Sequence, residues 1–323
     1  MHQFHGAAAR AAAAILLAAC AASAQASCGA AFCSVNTDWT TEAAGLAEGS
    51  VFDLRYEHIR QDQPRAGSRR IAVGEIRHHH DEVETLNRNL VATYTRTFAN
   101  GFGLSVSAPF TDREHLHIHN HRGAQIPEQW DFRKFGDLRV TGRYQRALGG
   151  SDAAPSTAGV ILGLKLPTGS TRVANTGGDI AERTLQPGTG TTDLILGAVF
   201  HQQLPASGAS WFAQAQVQRA LNSHDEFRPG TQLTADVGYA HPLADKLDGI
   251  VQLNVVAKRR DRGAEAESAD SGSRAVFLSP GLSYRVTDAV RVYGFVQQPL
   301  YQYVNGVQLT PDRAFVLGVS TRF

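Results

Sequence analysis

Ala314-Phe315-Val316-Leu317-Gly318-Val319-Ser320-Thr321-Arg322-Phe323 is the last stretch of the sequence, and its alternation decides the fold class. Successive side chains of an extended segment point to opposite faces, so Phe315, Leu317, Val319, Thr321 and Phe323 share one side. An apolar face ending on an aromatic residue is the pattern expected of the closing strand of a membrane barrel.

A terminal strand of this kind resembles the signal read by the assembly machinery of the Gram-negative outer membrane. Phe323 is therefore expected to engage that machinery, and the protein to sit in the outer membrane among its lipids. The opposite end agrees. Residues 1–26 carry Arg10, an apolar stretch from Ala11 to Ala19 and small-residue cleavage options at Ala22-Ser23-Ala24 and Ala24-Gln25-Ala26, the layout of a signal peptide. Leu17-Ala18-Ala19-Cys20 offers a competing reading, a lipoprotein box that would leave Cys20 acylated. Residues 27–50 are expected to form a periplasmic segment holding a Cys28–Cys33 disulfide, in a compartment that permits one. The barrel is expected over 51–323.

Beyond the signal no run of 18 apolar residues occurs, so no spanning helix is available. The 31 basic and 30 acidic residues nearly balance. That balance gives no electrostatic case for a nucleic-acid partner.

Working back from the C-terminus, alternating segments of about ten residues recur, each bounded by Gly, Pro, Asn or Asp. Twelve are expected, near 51–60, 85–98, 101–112, 134–148, 157–168, 190–204, 209–220, 230–242, 247–260, 273–287, 289–303 and 311–323. An all-β transmembrane antiparallel barrel of about 12 strands follows, and an even number suits a bacterial barrel. Leu138, Val140, Gly142 and Tyr144 oppose Asp137, Arg139, Thr141, Arg143 and Gln145. Phe52, Leu54 and Tyr56 oppose Asp53, Arg55 and Glu57, and Val251, Leu253 and Val255 oppose Gln252 and Asn254. A charge facing lipid at mid-bilayer costs about 2 to 4 kcal/mol, so the polar faces should line a wet or salt-bridged lumen. Arg55, Glu57, Arg139, Arg143, Arg219 and Lys258 are the expected pore-lining charges.

Short links at Ala99-Asn100, 204–209, 242–247 and Thr287-Asp288 alternate with long ones near 60–84, 113–133, 169–189, 221–229, 261–272 and 304–310. With periplasmic termini, the long loops lie outside. Two of them hold seven of the 13 histidines: His78, His79 and His80 before Asp81 and Glu82, and His115, His117, His119 and His121 at every second position. Alternate spacing aims imidazoles the same way. Such a row, with a carboxylate such as Glu114 or Asp81, suits zinc, copper or nickel. A pH-sensitive packing of the loops and a merely solvated His-rich loop are the competing readings. No cofactor is required by this reading.

Gly136-Asp137-Leu138 enters a strand, Leu164-Lys165-Leu166-Pro167-Thr168-Gly169 leaves one, and Pro187-Gly188-Thr189-Gly190 with Asp193 begins the next. This pattern resembles the outer-membrane transporters named for the MetA pathway of phenol degradation, over roughly residues 50–323. The resemblance implies a porin-like channel for small solutes and says little about the substrate; the imidazole rows fit cations better than phenols. Pro and Gly at these places also have a purely structural reading as strand ends and tight turns. Gly188-Thr189-Gly190 lacks the Gly-Lys-Ser/Thr continuation of a phosphate loop.

Two other classes remain. A plugged barrel could bind metal or dock a partner at the surface without transport. A lipid hydrolase would need a serine and histidine pair at the rim, but no Gly-x-Ser-x-Gly elbow occurs, Ser105 and Ser107 have no evident partner, and Ser223 beside His224 is weak. A non-enzymatic channel is the expectation.

Overall fold

Alternation becomes a wall once each strand finds two neighbours, and the computed structural model, which describes residues 35–37, 48–76, 81–121, 124–148 and 155–323, shows how that closes. The strands are β1 (Gly49–Gly67), β2 (Arg69–Arg70), β3 (Asp81–Thr97), β4 (Phe102–His121), β5 (Ala124–Phe135), β6 (Leu138–Leu148) and β7 (Ser156–Leu166), followed by β8 (Asp193–Leu204), β9 (Ala209–Ala220), β10 (Gln232–Ala244), β11 (Leu247–Lys258), β12 (Ser273–Arg285) and β13 (Val290–Arg322). All pairings are antiparallel; each wall strand pairs with the next one along the chain, β1 with β3 past β2 and β4 with β6 past β5, and β13 returns to β1, from Val51 opposite Arg322 to Gly67 opposite Val304. The barrel is closed and has no free edge.

Eleven of the strands build the wall, with β2 and β5 outside it. β13 contributes two passes: Arg291 to Val304 pairs with β12, and Val304 to Arg322 pairs with β1. The reversal falls at Asn305-Gly306, where Gly306 takes φ +56° as a tight hairpin turn requires. The wall is thus crossed twelve times, at the expected periods, and the expected loop over 304–310 is a tight turn.

The expected loop over 113–133 is also a correction. β4 runs on to His121 and β5 comes back, with His115 opposite Trp130 and His117 opposite Glu128. This hairpin stands above the wall, because β6, which continues the line of β5 after a break at Gly136-Asp137, pairs only with the lower part of β4. The outward face shows where lipid ends. Leu90, Tyr94, Leu104 and Val106 face out along β3 and β4, and above Phe110 they give way to Arg88, Asp112, Glu114 and Arg133, which pair with one another. Polar composition suggests a loop, but a strand above the hydrocarbon has no need of apolar outward residues.

Aromatic pairs mark both boundaries: Phe102 with Tyr144 (4.6 Å) and Trp211 with Tyr239 (4.7 Å) at the end where β1 begins and β13 finishes, Phe110 with Phe135 (5.1 Å) at the other. Phe110 lies eight residue steps beyond Phe102 on one strand. At about 3.3 Å rise and about 40° tilt this is roughly 20 Å, near the height of a lipid-facing band.

The inner face departs from a purely polar lumen. Ile59, Phe212, Ala240, Ile250, Tyr293, Phe295, Ala314 and Val316 form a buried apolar cluster joined by Val35. The aromatic rings lie flat across the wall on glycines; a Cβ at Gly238 would stand 2.0 Å from Phe212. Of the segment expected in the periplasm, Val35-Asn36-Thr37 lies inside the barrel: the Gln252 side chain accepts from Asn36 N (3.0 Å) and donates to its carbonyl (2.8 Å), and Arg55 donates to Thr37 (2.6 Å). The expected signal peptide, Cys20, the Cys28–Cys33 pair and His78, His79 and His80 lie outside the described residues.

Candidate functional site

Inside the wall is a cavity of about 530 Å³ whose lining includes Arg55, Glu57, Arg139 and Lys258, as expected from alternation. Arg55 and Glu57 pair at 2.9 Å, Asn89 donates to Glu57 (3.1 Å), and Lys258 meets Asp261 at 2.8 Å. Across from them Asn254 donates to Asp236 (2.7 Å) and accepts from Ser279 (2.6 Å). Two expected residues differ. Arg143 keeps the inward alternation but lies outside the cavity's lining, beside Gly103. Arg219 is exposed on the outward face with Val217, and its neighbour Gln218 points in and donates to Asp193 (2.7 Å).

The segment 167–192 folds over the outer mouth, and the reason lies in the Pro- and Gly-rich motifs at its ends. Lys165, buried at the end of β7, donates to Asp137 (2.8 Å), to the Thr191 carbonyl (2.9 Å) and to the Thr189 hydroxyl, and stands 3.4 Å from Asp193. Asp137 also accepts from Gly169 N (3.0 Å), Thr189 N (2.9 Å) and the Thr189 hydroxyl (3.0 Å). A buried charge is tolerated when paired and fully hydrogen-bonded, and here one lysine between two aspartates meets that condition. The two ends of the segment cross so closely that a Cβ at Gly188 would stand 2.4 Å from the Gly169 carbonyl oxygen. Glycine is required there by contact.

From this anchor the segment reaches across the mouth as a lid. Leu185, Ala181 and Val173 are buried with Trp130 and Phe132 of β5 on one side and Leu309 of β13 on the other. Trp130 donates its indole N–H to the Asp179 carbonyl (2.9 Å), and Arg113 donates to the Leu185 carbonyl. Burial pushes the Arg113 guanidinium down to about 10, which leaves it charged at neutral pH. Asp137, Lys165 and Asp193 were not foreseen as site residues; the signal available was charge placed within three turn motifs on strand ends.

The histidine row divides. His115 and His117 face inward and are buried, with Glu82 beside them, and the donor atoms of the three lie within 4.8 Å of one another. Thr85 hydrogen-bonds His115 Nδ1 (2.8 Å), and Glu128 meets His117 Nε2 at 2.9 Å. Burial lowers the His117 pKa, opposed by Glu128, so the neutral imidazole is favoured. His119 is half-buried further out, and only the backbone of His121 is described. Glu114 turns outward to Arg88 and is not part of this group. Ser105 and Ser107 hydrogen-bond Thr95 (2.8 Å) and Thr93 (2.9 Å), and His224 contacts Asp225 (3.4 Å).

Comparison with known proteins agrees with this architecture. Residues 83–302 match the family described as "Putative MetA-pathway of phenol degradation". No curated protein matches the chain. Among solved structures, the COG4313 outer membrane channel from Pseudomonas putida F1 is similar at 12% identity, covering 86% of this chain and 96% of that one with a TM-score of 0.66. The KdgM porin (13% identity, 84% and 99% covered, TM-score 0.40) and the NanC porin (11%, 84% and 100%, 0.43) are more distant. A closed antiparallel barrel, an apolar outer belt bounded by aromatic pairs, and a family match over more than half the chain place this protein: it is an outer-membrane β-barrel of a Gram-negative bacterium and belongs to the MetA-pathway family.

Proposed function

We propose that the protein is a passive channel for small polar solutes, with the lid over 167–192 and the inserted residues 35–37 setting its bore. The supporting observation is the cavity inside the wall, whose lining carries Arg55, Arg113, Arg139, Lys165, Arg183, Lys258 and Arg274 together with Glu57, Asp137, Asp193 and Asp236. Charged and polar groups on a narrow wall replace part of a solute's hydration, and the excess of basic over acidic residues in this lining favours anions over cations. Liposome swelling with neutral sugars of increasing size tests this: uptake should fall off steeply beyond a small sugar, and equal exclusion of every solute would refute it. Phe323, exposed at the barrel's end with its backbone paired to Ser50, is the contact offered to the assembly machinery.

A second reading draws on the same closures. With Val35 packed from one end and Leu185 from the other, a barrel that never opens would serve as a surface scaffold, and it would be silent in every flux assay.

A further inference from the structure

β3 and the hairpin of β4 and β5 bring together a donor set that stands outside the cavity's lining. We propose that Glu82, His115 and His117 bind one divalent transition-metal ion of the zinc type, at a site fixed by strand register and independent of whether the barrel conducts. Glu82 lies directly opposite His117, Thr85 opposite His115, His117 opposite Glu128 and His115 opposite Trp130. Directly opposed residues have Cβ atoms about 4.5 to 5.5 Å apart, and alternate residues of one strand share a face. Three strands therefore converge their side chains on one point.

A bulge aims the carboxylate. Counting back from inward-facing Thr85, regular alternation would turn Glu82 outward, but the register slips between Glu82 and Glu84. The extra residue brings Glu82 inside, where it is 2% exposed, and leaves Glu84 on the outer face with Arg60. Bulges re-aim side chains in this way.

Two imidazoles and a carboxylate suit zinc, with copper and nickel as competitors. Bonds of about 2.0 to 2.2 Å in a tetrahedron put ligand atoms roughly 3.4 Å apart. His115 Nε2 and Glu82 Oε2 already stand at 3.7 Å. His115 binds through Nε2, since its Nδ1 is held by Thr85. His117 binds through Nδ1, leaving Nε2–H on Glu128, the carboxylate–histidine arrangement that fixes the tautomer and raises ligand basicity. Trp130 covers both rings at 5.8 and 4.9 Å. Because Trp130 also holds the lid at Asp179, a bound ion stiffens the hairpin on which the lid rests.

The test is metal content and Co²⁺ absorption of the folded, detergent-purified barrel after chelator dialysis and titration with Zn²⁺ or Co²⁺. One ion per barrel is expected, with a tetrahedral Co²⁺ spectrum. Glu82→Gln, nearly the same size, should abolish stoichiometric uptake, Glu128→Gln should weaken it about 10- to 100-fold, and the His119→Ala/His121→Ala pair should leave it intact. No uptake by wild type, wild-type uptake by Glu82→Gln, or loss in the His119/His121 variant would each overturn the proposal. Conductance of the same metal-free sample reports on the channel reading separately.

Discussion

Replacing Asp137 by Asn should unlatch the lid. The carboxylate holds Lys165 Nζ, two backbone N–H groups and the Thr189 hydroxyl at 2.8 to 3.0 Å. Asparagine keeps one carbonyl acceptor and loses the charge, so at least one of those backbone donors goes without its partner at a cost of about 1 to 3 kcal/mol. Breaking a buried ion pair costs about 3 to 5 kcal/mol. Lys165 keeps Asp193 at 3.4 Å and the Thr191 carbonyl at 2.9 Å, which argues for the low end, about 3 kcal/mol. At about 1.4 kcal/mol per tenfold, lid opening should become on the order of 100-fold more frequent. Amide hydrogen exchange reads this directly. Gly188 N and Ala181 N, bonded to the Ser170 and Val173 carbonyls, should lose protection while the wall strands keep theirs. Unchanged exchange at both amides would refute the assignment of Asp137 as the latch.

Other outcomes follow from the same geometry. Leu185→Ala, at a fully buried position between Trp130 and Leu309, should cost about 2 to 5 kcal/mol of lid packing and raise trypsin cleavage at Arg183, with the barrel's melting by gel migration unaffected. Arg139→Gln together with Lys258→Gln removes positive charge from the cavity lining, and the reversal potential in a salt gradient should move toward cation preference. Gln252→Ala releases both hydrogen bonds to Asn36 and should increase unit conductance by freeing residues 35–37 from the lumen. Deleting Phe323 should lower the amount of protein reaching the outer membrane in cells, measured by membrane fractionation.

The wall was legible because membrane strands obey one strict rule: lipid on one side and polar lumen on the other make period-two alternation visible, as in Leu138 to Gln145. The rule lapses above the bilayer. There β4 and β5 continue with Arg, Asp, Glu and His on both faces, so a strand read as a loop. The tight turn at Asn305-Gly306 was hidden for a related reason, since Val304 to Pro311 offers no run of polar residues to mark its true length. Inside, alternation identified Arg55, Glu57, Arg139 and Lys258 but misassigned Arg219, one residue off the inward Gln218. The latch was in plain view as Asp137, Lys165 and Asp193, yet its meaning depends on three strand ends meeting, which no local pattern encodes. Glu82 was hidden further still, because the bulge that turns it inward is a property of pairing with β4.

The central claim, that the lumen conducts, is tested most directly by single-channel recording of the purified barrel in a planar bilayer. Small discrete steps in wild type, enlarged or more frequent in Asp137→Asn, are the predicted result. Silence from both proteins, with correctly folded barrels inserted, would contradict the channel reading and leave a closed surface scaffold.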